Sequence, residues 1–294
     1  PVIFCIKEMA ERHYDLNIEV LQIKGSKDYE AALFNGACDV LIEHLEFLYE
    51  EVTKGAKITF FCAPSKGGNL SLVVPPNIKQ IEQLKGKTMA VRTSGQPYAI
   101  HLWLKMMGLD KEVKTLMVKD SEVGRWEQWR KIVSGECIAS FISPIYLPSA
   151  LAAGLSVLPV PDLPIVGHYA QVCLSKFARE NSDLMKGYMK AVIHALSLIT
   201  IRREEALEIV SKEPMKRMKI DDMKELARQF DSISEGLKIN PYPSLEAIAN
   251  TYEIAAIEYP AAKGLNPLTL WDLHWVKELD DEGFIDGLVR QMNG

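Results

Sequence analysis

Ile81-Glu82-Gln83-Leu84-Lys85-Gly86-Lys87-Thr88-Met89-Ala90-Val91, followed closely by Thr93-Ser94-Gly95-Gln96-Pro97, decides the fold. The residues from Ile78 to Leu84 read as a short helix, and Lys87–Val91 as a strand. Thr93–Pro97 then caps a further helix that carries His101, Leu102, Leu104 and Met107 to Gly108-Leu109. Thr and Ser before a Pro make a helix start, because their hydroxyls accept from the first backbone N–H groups and Pro needs no N–H there. A strand between two helices is the repeating unit of an α/β chain.

The same grammar runs in both directions. Upstream, residues 2–13 carry a helical pattern, and Asn17–Ile23 alternates with period two as a strand does. A turn at Gly25–Asp28 leads into a helix from Tyr29 to Phe34, then a strand Cys38–Ile42 and a helix to Gly55. Strands follow at Lys57–Cys62 and Leu70–Val74. Downstream come a strand Val113–Val118, a helix Trp126–Val133, a strand Cys137–Ile142, a helix to Gly154 and a strand-like Leu155–Val160. The alternation predicts a largely parallel sheet. Tyr169–Leu174 is a return strand. Beyond Asn181 the pattern is helical over 182–200, 203–212, 220–235, 243–258 and 279–292.

Phe34-Asn35-Gly36-Ala37-Cys38-Asp39 and Val133-Ser134-Gly135-Glu136-Cys137-Ile138 echo one another: helix, glycine turn, Cys, short apolar strand. The echo suggests two lobes of one architecture facing across a cleft. The expected division is 1–74 for the first part of lobe 1, 75–168 for lobe 2, and 169–294 for the return to lobe 1 with a helical C-terminal region.

Composition narrows the function. The 294 residues hold 34 Lys and Arg against 39 Asp and Glu, a net charge of −5, with 48% hydrophobic and 25% charged residues. No basic block offers a nucleic-acid footprint, and no apolar run reads as a membrane span of about 20 residues. Five cysteines, Cys5, Cys38, Cys62, Cys137 and Cys173, lie in apolar stretches and lack Cys-x-x-Cys spacing. They read as buried free thiols, which favours a reducing compartment. No metal-ligand spacing, nucleophile elbow, phosphate loop or dinucleotide fingerprint is present. No cofactor, metal or catalytic residue is assigned.

Several positions suit a polar ligand. Thr93, Ser94, Gly95 and Gln96 stand at a strand-to-helix turn, where N–H groups and the helix dipole attract an anion; the same residues also serve as an ordinary cap. Arg92 could add charge or make a surface ion pair. Glu43 and His44 open the helix after an early strand, and Ser143 and Tyr146 mirror them in the second half. Ser65, Gly67, Gly68 and Asn69 form a glycine-rich loop that lets backbone approach a ligand or simply turns the chain. Trp126 stands near Arg125 and three residues before Trp129, positioned to stack on a flat ligand or to pack. His168 precedes the return strand.

The order of elements, with Ala31–Ile42, the Ile81–Val91 run, Thr93-Ser94-Gly95 and Gly135-Glu136 before Ser143-Pro144, resembles the type II periplasmic-binding-protein superfamily. Within it, the likeness is to the nitrate, taurine, sulfonate and thiamine-pyrimidine-precursor group. It spans residue 1 to about 215. Ile138 stands where that group commonly has an acidic residue, and the group's usual first strand is absent ahead of residues 2–13. The resemblance implies an α/β, two-lobed fold with a ligand cleft and a helical C-terminal tail. It implies a solute-binding protein that closes on a small anionic, aromatic-carboxylate or sulfonate-like ligand and delivers it to an ABC transporter permease. The implied address is periplasmic or extracytoplasmic, and the five cysteines leave a cytoplasmic one open. The alternative is a cytoplasmic enzyme on the same fold, of decarboxylase, desulfinase or thiamine-pyrimidine-synthesis type.

Overall fold

Among the described residues eight strands form where β-branched and aromatic residues cluster: β1 (Val40–Glu43), β2 (Ile58–Cys62), β3 (Ser71–Val74), β4 (Thr88–Arg92), β5 (Lys114–Val118), β6 (Ala139–Ile142), β7 (Ser156–Val157) and β8 (Ala170–Leu174). They belong to a computed structural model that describes the chain except residues 22, 24, 25, 44, 45, 68, 69, 94–96, 213, 214 and 216–219, and except the side chains of residues 26, 27, 30 and 43. The chain divides into two units. Pro1–Lys66 with Ile165–Gly294 form the first, and Gly67–Pro164 form the second.

In the first unit the sheet order is β1-β8-β2, with β8 antiparallel to both neighbours. Successive side chains on a strand point to opposite faces, and the core divides accordingly. Leu41, Phe60, Ala170 and Val172 pack with Leu33, Tyr49, Ile248 and Ala255 on one face. Val40, Ile42, Phe61 and Cys173 pack on the other, against the helices Val2–His13 and Ser182–Ile201. The first of these helices buries Val2, Cys5, Ile6, Met9 and Ala10, the stripe expected at 3.6 residues per turn.

Ser182–Ile201 corrects one expectation. At 20 residues it is long and apolar enough to cross a bilayer by length and composition. Its apolar residues, from Met185 to Ile199, lie instead in the core of the first unit. The helices Arg203–Ser211, Met223–Glu235, Leu245–Glu258, His274–Asp281 and Phe284–Asn293 complete that unit. The helix expected over 279–292 is two helices, broken at Gly283, whose φ of 71° is left-handed.

The second unit holds the sheet β5-β4-β6-β3-β7. β4 is parallel to β5 and β6, whereas β3 is antiparallel to β6 and β7. The expectation of a largely parallel sheet therefore holds only for the β5-β4-β6 part. β3 and β8, running the opposite way, supply the antiparallel pairings. Leu72, Met89, Val91 and Phe141 face one core with Trp103, while Val73, Ala90 and Ile142 face another with Trp129 and Ile132.

Two further differences bear on function. The described residues of Asn17–Ile23 form no strand and take no ladder partner, although exposure alternates along Leu16–Leu21 as it does on a half-buried strand. Trp126–Val133 is not a continuous helix. Only Arg130–Val133 is helical, after turns at residues 125–126 and 128–129. The Trp126 backbone N–H donates to Asp120, and Trp126 takes a positive φ of 62° that no α-helix accommodates.

His194, on the Ser182–Ile201 helix, couples this core to pH. Burial, with the nearby His13 adding a smaller effect, pulls its pKa down from 6.5 to about 4, and Tyr14 Oη lies 3.0 Å from its Nδ1. The unfolded chain binds a proton at His194 below about 6.5 that the folded chain refuses until about 4. Stability is thus complete above that window and falls as pH drops through it. Because His194 keeps part of its surface in water, we expect a loss of about 1 kcal/mol between about pH 7 and about pH 5.5. Urea unfolding at the two pH values measures it, and His194→Gln should flatten the difference.

Candidate functional site

Strand polarity gathers the expected site residues at two sheet edges, one in each unit. In the second unit the carboxyl ends of β4, β5 and β6 lie together, and Ser71, the first residue of β3, pairs with Ile142, the last of β6. Arg92, Thr93 and Ser143 therefore share one edge. The carboxyl edge of parallel strands is where α/β sheets bind ligands, because the loops leaving it are free to diverge.

Arg92 ends β4 with its side chain only 11% exposed. Its Nε donates to Asp120 Oδ1 at 2.7 Å and its Nη2 to Asp120 Oδ2 at 2.5 Å. This fork-to-fork pairing holds the Asp120 carboxyl below the usual carboxylate range. The guanidinium also lies 4.8 Å from the Trp126 ring centroid, within cation–π range. The Trp126 ring stands nearly parallel to Tyr146, with an interplanar angle of 19° and centroids 6.5 Å apart. Arg92, Asp120, Trp126 and Tyr146 thus form one connected group. Trp126 is fixed through both its ring and its strained backbone, and such strain concentrates at functional sites.

The other members of this edge have specific duties. The Thr93 backbone N–H donates to Val118 O at 3.0 Å, so it is already committed rather than offered to an anion. Ser94, Gly95 and Gln96 lie outside the described residues. Ser143 is half-buried at the start of the 3-10 turn Pro144–Tyr146, and its side chain makes no capping bond. Asp120 and Gln128 are additions that the sequence did not single out. Gln128 is buried, and its Nε2 donates to Phe141 O at 2.7 Å, while its Oε1 has no hydrogen-bond partner among the described residues. The acidic residue following Lys119 was visible, but its partner lies 28 positions away.

The first unit gathers a second group. Glu43, the last residue of β1, pairs with Ala170, the first of β8, which places His168 at the same edge. The Glu43 side chain and all of His44 lie outside what is described. His168 is exposed, and its ring centroid is 6.3 Å from that of Tyr169, a second non-glycine residue at positive φ, 70°. Beyond the end of β2, Ser65 bridges to Leu237, and the Lys66 N–H donates to Gly236 O at 2.8 Å. That backbone is held by the C-terminal region instead of forming an open loop. Gly67, which begins the second unit, takes φ 150°, which a side chain would strain, while Gly68 and Asn69 are not described. Gln171, fully buried in β8, has neither amide atom hydrogen-bonded among the described residues.

All five cysteines are unpaired, and four are buried. Burial pushes every thiol pKa up, to about 12 for Cys5 and Cys173. None is poised as a thiolate nucleophile. Among the described residues no group of His, Cys, Asp and Glu could hold a metal ion.

No family model matches the chain. No curated protein matches it either. Solved structures do. The periplasmic sulfonate-binding protein SsuA of a putative sulfonate ABC transporter from Methylobacillus flagellatus is 16% identical over 97% of this chain and 90% of its own, with a TM-score of 0.70. The periplasmic aliphatic sulphonate binding protein SsuA from Escherichia coli is 17% identical over 88% and 83%, with a TM-score of 0.64. The CA3427 gene product of Candida albicans, described as having the generic periplasmic binding protein fold, is 14% identical over 95% and 90%, at 0.56. The chain has the type II periplasmic-binding-protein fold, with the helical C-terminal region expected of it.

Proposed function

We propose that the chain is a solute-binding protein of an ABC-type uptake system. Its ligand is a small molecule combining a flat ring with an anionic group, an aromatic carboxylate or sulfonate. The observation that carries this reading is the group Arg92, Asp120, Trp126 and Tyr146 at the carboxyl edge of β4 and β6. Asp120 neutralises much of the Arg92 charge, so stacking on the aromatic pair dominates the recognition and the hydroxyls of Thr93 and Ser143 orient the anionic group. Closure of the two lobes on the ligand, contacts from Glu43, His44, Ser65, Gly67–Asn69, Ser94–Gln96 and His168, delivery to a permease and an extracytoplasmic address belong to the same proposal. The fold's relatives among ABC substrate-binding proteins support it.

A second reading, an enzyme on this fold in a reducing compartment, draws on the five free thiols. Thermal unfolding with a panel of sulfonates, aromatic carboxylates and pyrimidines, after unfolding and refolding to strip bound ligand, separates the two. Binding raises the melting temperature in proportion to the logarithm of ligand concentration over Kd. A stabilising compound recovered unchanged supports binding. Conversion of that compound supports the enzyme, and no stabilisation by any member removes the proposal's main support.

A further inference from the structure

Arg92 stands at the carboxyl edge of β4, where an anionic solute needs a cation, yet its fork is already filled. Nε and Nη2 donate to the two Asp120 oxygens at 2.7 and 2.5 Å. Asp120 is the more open partner, its side chain 35% exposed against 11% for Arg92, so taking the carboxylate away opens the guanidinium to solvent. The Trp126 ring covers one face of that guanidinium, 4.8 Å from centroid to Cζ. The chain thus holds a planar carboxylate in the plane of the fork with an aromatic ring alongside. An aromatic carboxylate presents the same two features on one small molecule. Asp120 also has a second place to go. Beyond the Arg92 pairing it accepts from the Trp126 backbone N–H, and the charge of Arg125, exposed and next in the chain to Trp126, acts on the same carboxyl. No ion pair engages Arg125 among the described residues.

We propose that the ligand is an aromatic carboxylate and that Asp120 is its built-in competitor: the ligand's carboxylate takes the Arg92 fork, and Asp120, still holding the Trp126 N–H, turns to Arg125. The fork makes the same two charge-assisted bonds before and after this exchange. Net gain therefore comes from the ligand's ring against Trp126 and Tyr146 and from the new Asp120–Arg125 pair. That balance sets selectivity. A carboxylate without a ring trades one carboxylate for another and gains little, and a neutral ring cannot displace Asp120. A tetrahedral sulfonate puts its third oxygen outside the plane of the fork, so it fits less well than the planar group already seated there. The competitor also lowers apparent affinity by the fraction of molecules whose fork is filled. The inference rests on the solute-binding reading and adds the ligand's class and the residue, Arg125, that makes room for it.

The test titrates the full chain with benzoate, acetate, benzamide and benzenesulfonate in a calorimeter, with thermal unfolding to confirm that each variant is folded. Benzoate should bind, acetate and benzamide at least about tenfold more weakly, and benzenesulfonate more weakly than benzoate. Asp120→Asn keeps an oxygen for the Trp126 N–H but removes the competitor, so benzoate should bind at least about fivefold more tightly. Uncovering a positive charge would tighten any anion, and Arg125 separates the two causes. Arg125→Gln should weaken benzoate binding about threefold in the wild-type chain and leave it unchanged in the Asp120→Asn chain. Equal weakening in both chains would mean that Arg125 acts only as general charge. Unchanged or weaker binding to Asp120→Asn would mean that Asp120 merely positions Arg92. Either result overturns the exchange, as does benzenesulfonate or acetate binding as tightly as benzoate, or no benzoate binding to either chain. None of these removes the solute-binding reading, which falls only if the whole thermal panel fails to stabilise the protein.

Discussion

Trp126→Gly is expected to weaken ligand binding by at least about tenfold while costing the protein no more than about 2.5 kcal/mol of stability. Removing an indole ordinarily destabilises, and here it deletes the Arg92 cation–π contact and the Tyr146 stack, worth about 0.5–2 and about 0.5–1.5 kcal/mol. The same change relieves a bulky residue held at φ 62°, a conformation costing about 1–2 kcal/mol for residues other than glycine. The relief offsets part of that loss, so urea unfolding should show a destabilisation of no more than about 2.5 kcal/mol. Binding has no such compensation. Titration calorimetry with the best compound from the thermal panel should show affinity lower by at least about tenfold, the equivalent of about 1.4 kcal/mol. A variant destabilised by several kcal/mol with binding intact would mean that Trp126 is a packing residue.

The second large effect lies deeper in the same unit. Trp103 is 2% exposed, meets Phe141 edge-on at 4.8 Å between centroids, and donates from Nε1 to Pro161 O at 2.9 Å. Trp103→Ala should cost about 3–5 kcal/mol through the lost transfer energy and the cavity left behind. Trp103→Phe should recover most of this, less about 1–2 kcal/mol for the orphaned carbonyl. Trp129 provides the contrast, since it is also buried but its Nε1 has no partner among the described residues. Replacing that indole by phenylalanine removes an unsatisfied donor, so Trp129→Phe should cost little. Calorimetry on the full chain, with amide exchange reporting residues 67–164, distinguishes the three variants.

How far the sequence could be read depended on where each interaction partner lies along the chain. The strand at Thr88–Arg92 and the helix Pro97–Met106 were legible because period and capping chemistry are local. The stripe of Val2, Cys5, Ile6 and Met9 was legible for the same reason. Arg92 and Trp126 could be nominated from the sequence, but not their joining. That depends on Asp120, which receives the Arg92 guanidinium from 28 residues away and the Trp126 N–H from six. The resulting turn overrode a helical spacing that the sequence plainly offered. Asn17–Ile23 misled in the opposite sense. Its alternation is real, but a ladder needs a neighbouring strand, and period two specifies only one of the two partners. The Gln128 Oε1 and the Gln171 amide, which have no partner among the described residues, had no signal at all, because burial of a lone glutamine leaves no pattern in its neighbours.

Where the ligand sits decides most directly whether the protein binds solutes through the Trp126 and Tyr146 pair. A crystal structure of the protein with the most stabilising compound of the panel locates it. The account predicts the ligand's ring stacked within about 4 Å of the Trp126 indole or the Tyr146 ring, the usual contact range for apolar groups, with its anionic group near Thr93 or Ser143. A ligand bound elsewhere, with both rings untouched, would contradict it.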